Sequence, residues 1–219
     1  SICHGDSEHI KIRKKEDNPG INIYIDGKTN GESVYIPVVV SVSGMIDLVY
    51  NDFYIEDGAN VNIIAGCGIH NSGCNESRHD GVHTFHVGKN ANVRCVEKHY
   101  GEGNGTGARV LNPVTNIIVG DNSVFTLDTA QIEGVDSTVR ETNVELGKEA
   151  KLYVTERLMT SGEQKAESNI EVQLNGENSS AQIVSRSVGK GNSVQTFHPN
   201  AIGNNKCQAH IQCDSIIMD

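Results

Sequence analysis

Phe85–Val96 reads FHVGKNANVRCV. It is an apolar strand, a Gly-containing corner, and a second strand with Ala91, Val93 and Cys95 on one face. The phrase recurs as YIEDGANVNIIAG (Tyr54–Gly66), IIVGDNSVFTL (Ile117–Leu127), VELGKEAKLYV (Val144–Val154) and VQLNGENSSAQIV (Val172–Val184). Anchoring on the first inward small residue selects Ala59, Ala91, Ser123, Ala150 and Ala181. Successive anchors are 32, 32, 27 and 31 residues apart. A loose period near 30 is what a solenoid produces, because each coil returns to the same place while its outer loops vary. Val, Ile, Leu and Thr alternate with polar residues at period 2, and Gly with Asn or Asp marks the corners. The sequence therefore predicts an all-β fold, a right-handed parallel β-helix.

Composition agrees. The 219 residues include 23 Gly and 4 Pro, with no Trp and only 5% aromatic residues. Gly suits repeated tight corners, and small aliphatic side chains suit stacking inside a narrow tube. A net charge of −10 argues against nucleic acid as a partner, because phosphate binding needs clustered Lys and Arg. The basic run Lys11–Lys15 (KIRKK) reads as a solvated patch. No stretch reaches the 18 or so apolar residues that cross a bilayer. Six cysteines and nine histidines in a chain of this length read as reduced thiols in a cytoplasmic protein rather than as disulfide staples.

Along the chain, the expectation is one β-helix core domain over residues 1–219. Residues 1–31 are an irregular lead-in holding one strand, Ile21–Ile25, and Cys3 and His4 lie on a frayed terminus. Val34–Val42 and Met45–Val49 supply the first coils. Gly101–Thr106, Met159–Ser168 and Gly189–Ser193 read as outer loops.

Side chains alternate across a strand. Parity with the small apolar residues turns Cys67, Cys95, Cys207 and Cys213 inward. Singly, each is a small buried hydrophobe; together, four inward thiols point to an interior that handles sulfur or metal. The same parity carries Glu97, His99 and Glu156 inward. An inward carboxylate needs a partner or water, so either the strands have turned a corner before these positions, which is the expectation, or part of the interior is polar.

These residues resemble a known family. QCDSIIMD (Gln212–Asp219) resembles the Cys-Asp-Ser signature near the end of the β-helix core in the SufB/SufD family of iron–sulfur cluster assembly scaffolds. AGCGIHNSGCNESRHDGVHTFHVGKNANVRC (Ala65–Cys95) is similar to an earlier family segment, with a Gly-Cys, an Asp-x-x-His and a strand–Gly–Ala–strand coil. The resemblance covers roughly residues 54–219. It implies a SufB-like scaffold, not an enzyme, that handles a transient iron–sulfur cluster. The implied partners are a SufD-like or second SufB-like subunit, a SufC-type ATPase to which any ATP hydrolysis belongs, and a cysteine desulfurase or other sulfur donor. By resemblance, Cys67 accepts persulfide sulfur. Cys213 lies at a dimer interface and builds or holds the nascent cluster, with Cys95 and Cys207 as candidate relay points. Thiolates suit both tasks, as nucleophiles toward sulfane sulfur and as iron ligands.

The sequence departs from the family pattern after Cys67, where Gly68, Ile69 and His70 replace the usual Thr or Ser, Ala and Pro. It also adds Cys74 among His70, His79, His83 and His86. Cys74, His79 and His83 join Cys67 and Cys213 as candidate metal ligands, though the group reads as exposed loop residues. The helical segment that follows the core in the family is absent from these residues. Two other readings compete: a carbohydrate-active β-helix, disfavoured by sparse Arg and missing Trp, and a structural β-helix with an incidental zinc site. A Ser-His-Asp hydrolase is unsupported, since no Gly-x-Ser-x-Gly elbow occurs.

Overall fold

The computed structural model describes residues 7–219. Cys3 and His4 lie outside them. The described residues form a β-solenoid of two facing sheets. β1 (Ile10–Lys14) is followed by seven coils, each giving one side to each sheet. The coils are β2 (Gly20–Ile25) with β3 (Asn30–Val40), β4 (Ile46–Ile55) with β5 (Asn60–His70), and β6 (Ser77–Val87) with β7 (Asn92–Glu102). Next come β8 (Arg109–Leu111) and β9 (Val114–Val119) with β10 (Val124–Gln131), and β11 (Ser137–Leu146) with β12 (Lys151–Ser161). The last are β13 (Lys165–Leu174) with β14 (Ser179–Lys190), and β15 (Val194–Gly203) with β16 (Cys207–Met218). The solenoid strands pair in parallel, and β1 pairs antiparallel to β2.

Pro placement follows from the missing amide donor. Pro37 and Pro199 sit in β3 and β15, each at the edge of its sheet, and Pro113 separates β8 from β9.

The repeat is a stack of corners. Thr29, Ala59, Ala91, Ser123, Ala150 and Ser179 occupy the same register, all buried, with Cys207 next in the column. The residue before the small one takes a left-handed conformation: Gly58, Asn90, Asn122, Glu149 and Asn178 have φ of 82°, 55°, 58°, 56° and 58°. Gly and Asn tolerate this region, whereas Glu149 carries a Cβ penalty there. The fifth anchor is thus Ser179, not Ala181, which pairs with Leu152 one inward step further along. Both residues are small and inward, so size alone does not separate them.

Three other expectations change. Residues 7–31 are more regular than expected: β1 turns Ile10 and Ile12 inward, and Lys15, the end of the basic run, is buried against Asp52. Met159–Ser168 is mostly strand, with only residues 162–164 between β12 and β13. Gly189–Ser193 likewise shortens to a turn after β14.

Near the corners the interior is apolar. Phe53 stacks on Phe85 with ring centroids 4.3 Å apart, and Phe125 meets Phe85 edge-on at 5.2 Å. Ile23, Ile63, Val93, Leu152, Val172 and Ile183 extend this core along the tube. Among the described residues no helix is long and apolar enough to cross a membrane.

Candidate functional site: a polar lane between two thiols

Away from the corners, the interior changes character on the same strands. β7 runs unbroken from Asn92 to Glu102 with alternating burial, so Glu97 and His99 follow Val93 and Cys95 straight into the tube. Glu156 does the same in β12. The expected corner before these residues does not exist, and this part of the interior is polar. In one register column Glu97, Thr129, Glu156, Ser185 and Cys213 succeed one another through five coils. Beside it runs Cys67, His99 and Gln131. The facing sheet contributes His83, Thr115 and Thr142, with Arg140 and Ser168 in the adjacent column. All but Cys213 are buried.

Arg140 organises the lane. Its Nη2 donates to His99 Nδ1 at 2.9 Å, two coils away. Its other nitrogens lie 3.8 Å from Glu97 Oε2 and 3.7 Å from Glu156 Oε2. Glu156 in turn accepts from Ser168 Oγ at 2.7 Å and Ser185 Oγ at 2.9 Å. His83 Nδ1 faces Glu97 Oε1 at 3.4 Å, and His79 Nδ1 donates to Asp47 Oδ2 at 2.8 Å. Burial alone would raise the Glu97 carboxyl, but His83, His99 and Arg140 overcome it and hold it near 2. Burial, reinforced by Arg140, pushes the His99 imidazole down to about 3, so the ring is neutral at pH 7. Even so, His79 Nε2, both Glu97 oxygens, Arg140 Nη1, Thr129 Oγ1 and Gln131 Oε1 are buried without a hydrogen-bond partner. Buried polar groups are normally satisfied, so this concentration singles out the lane as the candidate site.

The lane has a mouth at each end. Toward the N-terminal end lies a cavity of about 610 Å³ lined by Val38, Val40, Asp47 and Val49, among others. It forms because β2 is short, leaving the far half of β3 without a facing strand in its coil. Val38 is the register partner of Cys67, so Cys67 lies on the strand next to the one that lines the cavity. At the other end a cavity of about 420 Å³ is lined by Glu156, Ser185, Phe197, Cys213 and Ser215. Cys67 and Cys213 are separated by five strand spacings, about 24 Å at roughly 4.8 Å each.

The cysteines separate into two groups. Cys213 borders the lane, and Cys67 stands at its other end, paired in register with His99 and packed among Val40, Ile69, Leu111 and Val135. Cys95 is wholly buried in the apolar stack, and Cys207 packs against that stack at the corner. The proposed relay points therefore lie on the apolar side, and the groups between the two lane thiols are not cysteines. Burial pushes the Cys67 thiol up to about 12 and raises Cys95 as well. Cys213 is inward by register yet exposed, because β16 has a neighbour only in β14. The described cysteines are free thiols.

The histidine group divides as well, contrary to its reading as exposed loop residues. His79 and His83 are buried in β6, whereas Cys74 is exposed at an outer turn. His70 is exposed beside Glu102, and His86 stacks on Tyr54 on the outer face at 5.0 Å. Among the described residues no three His, Cys, Asp or Glu side chains gather closely enough to hold a metal ion. Sequence reasoning missed Arg140, Asp47, Ser168 and Ser185. The available signal was that Glu97, Thr129, Glu156 and Ser185 recur at one place in successive repeats.

The fold and these residues define a class: a β-solenoid whose interior carries a polar lane with a thiol at each end. The family model described as SUF system FeS cluster assembly, SufBD core domain, matches residues 51–219, and the chain belongs to that family. Its place is thus in iron–sulfur cluster assembly by the SUF system. A search of curated proteins finds no match to the chain.

Proposed function

We propose that this protein is a SufB-like scaffold of the SUF system, in which Cys67 accepts persulfide sulfur and Cys213 builds or holds the nascent cluster. The observation that carries this reading is the lane itself, a run of partly unsatisfied polar groups that begins at Cys67 and ends at Cys213 in a member of this family. Sulfur enters at the Val38 mouth, passes the His99–Arg140–Glu156 network, and meets iron at the open end. The cluster is cargo, and Cys213 offers one thiolate toward it. Further ligands come from a second subunit, either another copy or a SufD-like relative. ATP hydrolysis belongs to a SufC-type partner, and a cysteine desulfurase or related donor supplies the sulfur. Free thiols suit the reducing cytoplasm.

The test is anaerobic reconstitution with iron and sulfide, read by visible absorption. Wild type is expected to show a sulfur-to-iron charge-transfer band that Cys213→Ala loses. A band unchanged in Cys213→Ala overturns the assignment of Cys213.

A further inference from the structure

The outward side chains of β7, β10, β12, β14 and β16 form two unlike columns. Lys98, Ala130, Arg157 and Arg186 succeed one another in register, ending at Asp214. Two residues farther from the corner run Tyr100, Ile132, Met159, Val188 and Ile216. Ile132 is 58% exposed and Ile216 60%, and Tyr100 and Met159 are exposed as well. The Tyr100 ring rests over Gly68, where a β-carbon would lie 2.4 Å from it. A groove of about 370 Å³ follows the columns, lined by Ile132, Met159, Val188 and Ile216 together with Arg157 and Arg186. A continuous exposed apolar stripe marks an interaction surface, and Tyr, Met and Arg are the residue types enriched in interfaces.

The basic column stands out in a chain of net charge −10. Arg94 holds Asp128 at 2.8 Å, and Arg186 lies 3.7 Å from Asp214. Among the described residues Lys98 and Arg157 make no ion pair. Two unpaired cations beside an apolar stripe complement an occupant that is apolar on one side and anionic along its flank.

We propose that this groove docks an acidic amphipathic helix supplied by a partner protein. From β7 to β16 the stripe spans four strand spacings, about 19 Å at roughly 4.8 Å each. A helix rising 1.5 Å per residue covers that length in about 13 residues. Apolar side chains three and four apart enter the stripe, and carboxylates on the adjoining flank meet Lys98 and Arg157. An extended peptide fits less well, because β7, β10, β12 and β14 are each paired on both sides and offer it no backbone partners. A helix satisfies its own backbone. An anionic bilayer is a plane that meets the whole acidic molecule, whereas a helix in the groove lies within a Debye length, about 8 Å, of the two cations. Leu158, Ser187 and Ile216 line both this groove and the cavity that holds Cys213. The docked helix therefore stands at the rim of that mouth, although its docking needs neither lane thiol.

The experiment pans phage-displayed random peptides of about 16 residues, long enough to cover the stripe, against the wild-type protein and against the double variant Lys98→Glu, Arg157→Glu. Wild type is expected to enrich acidic sequences with apolar residues three and four apart, and the double variant is not. The leading peptide, synthesised and titrated by fluorescence anisotropy, should bind about tenfold more weakly to the double variant and to Met159→Asp, and more weakly in high salt. All three side chains are exposed, so thermal midpoints should match wild type. Enrichment of basic sequences, equal enrichment by the double variant, or no enrichment at all overturns the helix site. Flotation of wild type with phosphatidylserine–phosphatidylcholine vesicles, lost in the double variant, also overturns it and assigns the face to a lipid surface.

Discussion

The coils from β6 to β14 contain two interiors. Near the corner, Phe53, Phe85, Phe125 and their aliphatic neighbours fill the tube with apolar groups that need no hydrogen-bond partners. Six to eight residues farther along the same strands, Glu97, His99, Arg140 and Glu156 bury charge and leave several polar atoms unpaired. The backbone, register and strand spacing are shared, so the contrast isolates what the side chains do. The corner half supplies stability through burial and close packing. The far half gives some of it up, since a buried group without its partner costs about 1–3 kcal/mol. That asymmetry singles out the far half as the candidate site without reference to any relative.

The contrast can be broken by substitution. The largest expected effect is in the corner half, where Phe85→Ala should cost about 3–5 kcal/mol by cavity formation, read by chemical denaturation. A loss under 1 kcal/mol would mean that the stack does not hold the tube together. Next comes acid sensitivity of the far half. The folded protein depresses His99 to about 3 and Glu97 to about 2. Both groups bind protons more weakly folded than unfolded, so their contributions are complete above the unfolded values and lost as pH falls. Stability should decline from about pH 6.5 downward, by up to about 1.4 kcal/mol per pH unit for each proton taken up. His99→Gln should remove the upper part of that decline, and an unchanged pH profile would place the titration elsewhere.

Smaller effects sharpen the division of the cysteines. Cys95→Ala should cost roughly 1 kcal/mol as a small core truncation and leave sulfur loading intact. Cys67→Ser should abolish loading while moving stability less. The reverse pattern, read by denaturation and persulfide mass spectrometry, would exchange the two roles. The smallest expected effect is a gain: Glu149→Asn should stabilise by about 0.5–1 kcal/mol, because Asn accepts the left-handed φ of 56° more readily. No gain in thermal midpoint would show that the corner relaxes around Glu149.

The solenoid was legible because corner chemistry repeats. Asn90, Asn122 and Asn178 precede small residues at a spacing that no other fold class explains simply. The inward parity of all four cysteines also holds, since strands of ten to twelve residues carry parity without interruption. The polar interior was the less favoured of two sequence readings for a physical reason. Burying Glu97 is unfavourable by itself, and one of its partners, Arg140, stands more than 40 residues away on the other sheet. Parity places a side chain inside; it does not reveal who meets it there. The separation of Cys95 and Cys207 from Cys67 and Cys213 depends on distance from the corner, which period-2 alternation does not encode.

The lane between the two thiols is tested most directly by following sulfur through one molecule. Protein carrying sulfane sulfur on Cys67 is prepared without iron, and mass spectrometry tracks that sulfur with time. In wild type it should leave Cys67 and appear on Cys213 at a rate independent of protein concentration, and Ser185→Leu, which plugs the lane beside Glu156, should stop it. Transfer that scales with protein concentration, or that proceeds unchanged in a folded Ser185→Leu, would contradict passage through the tube.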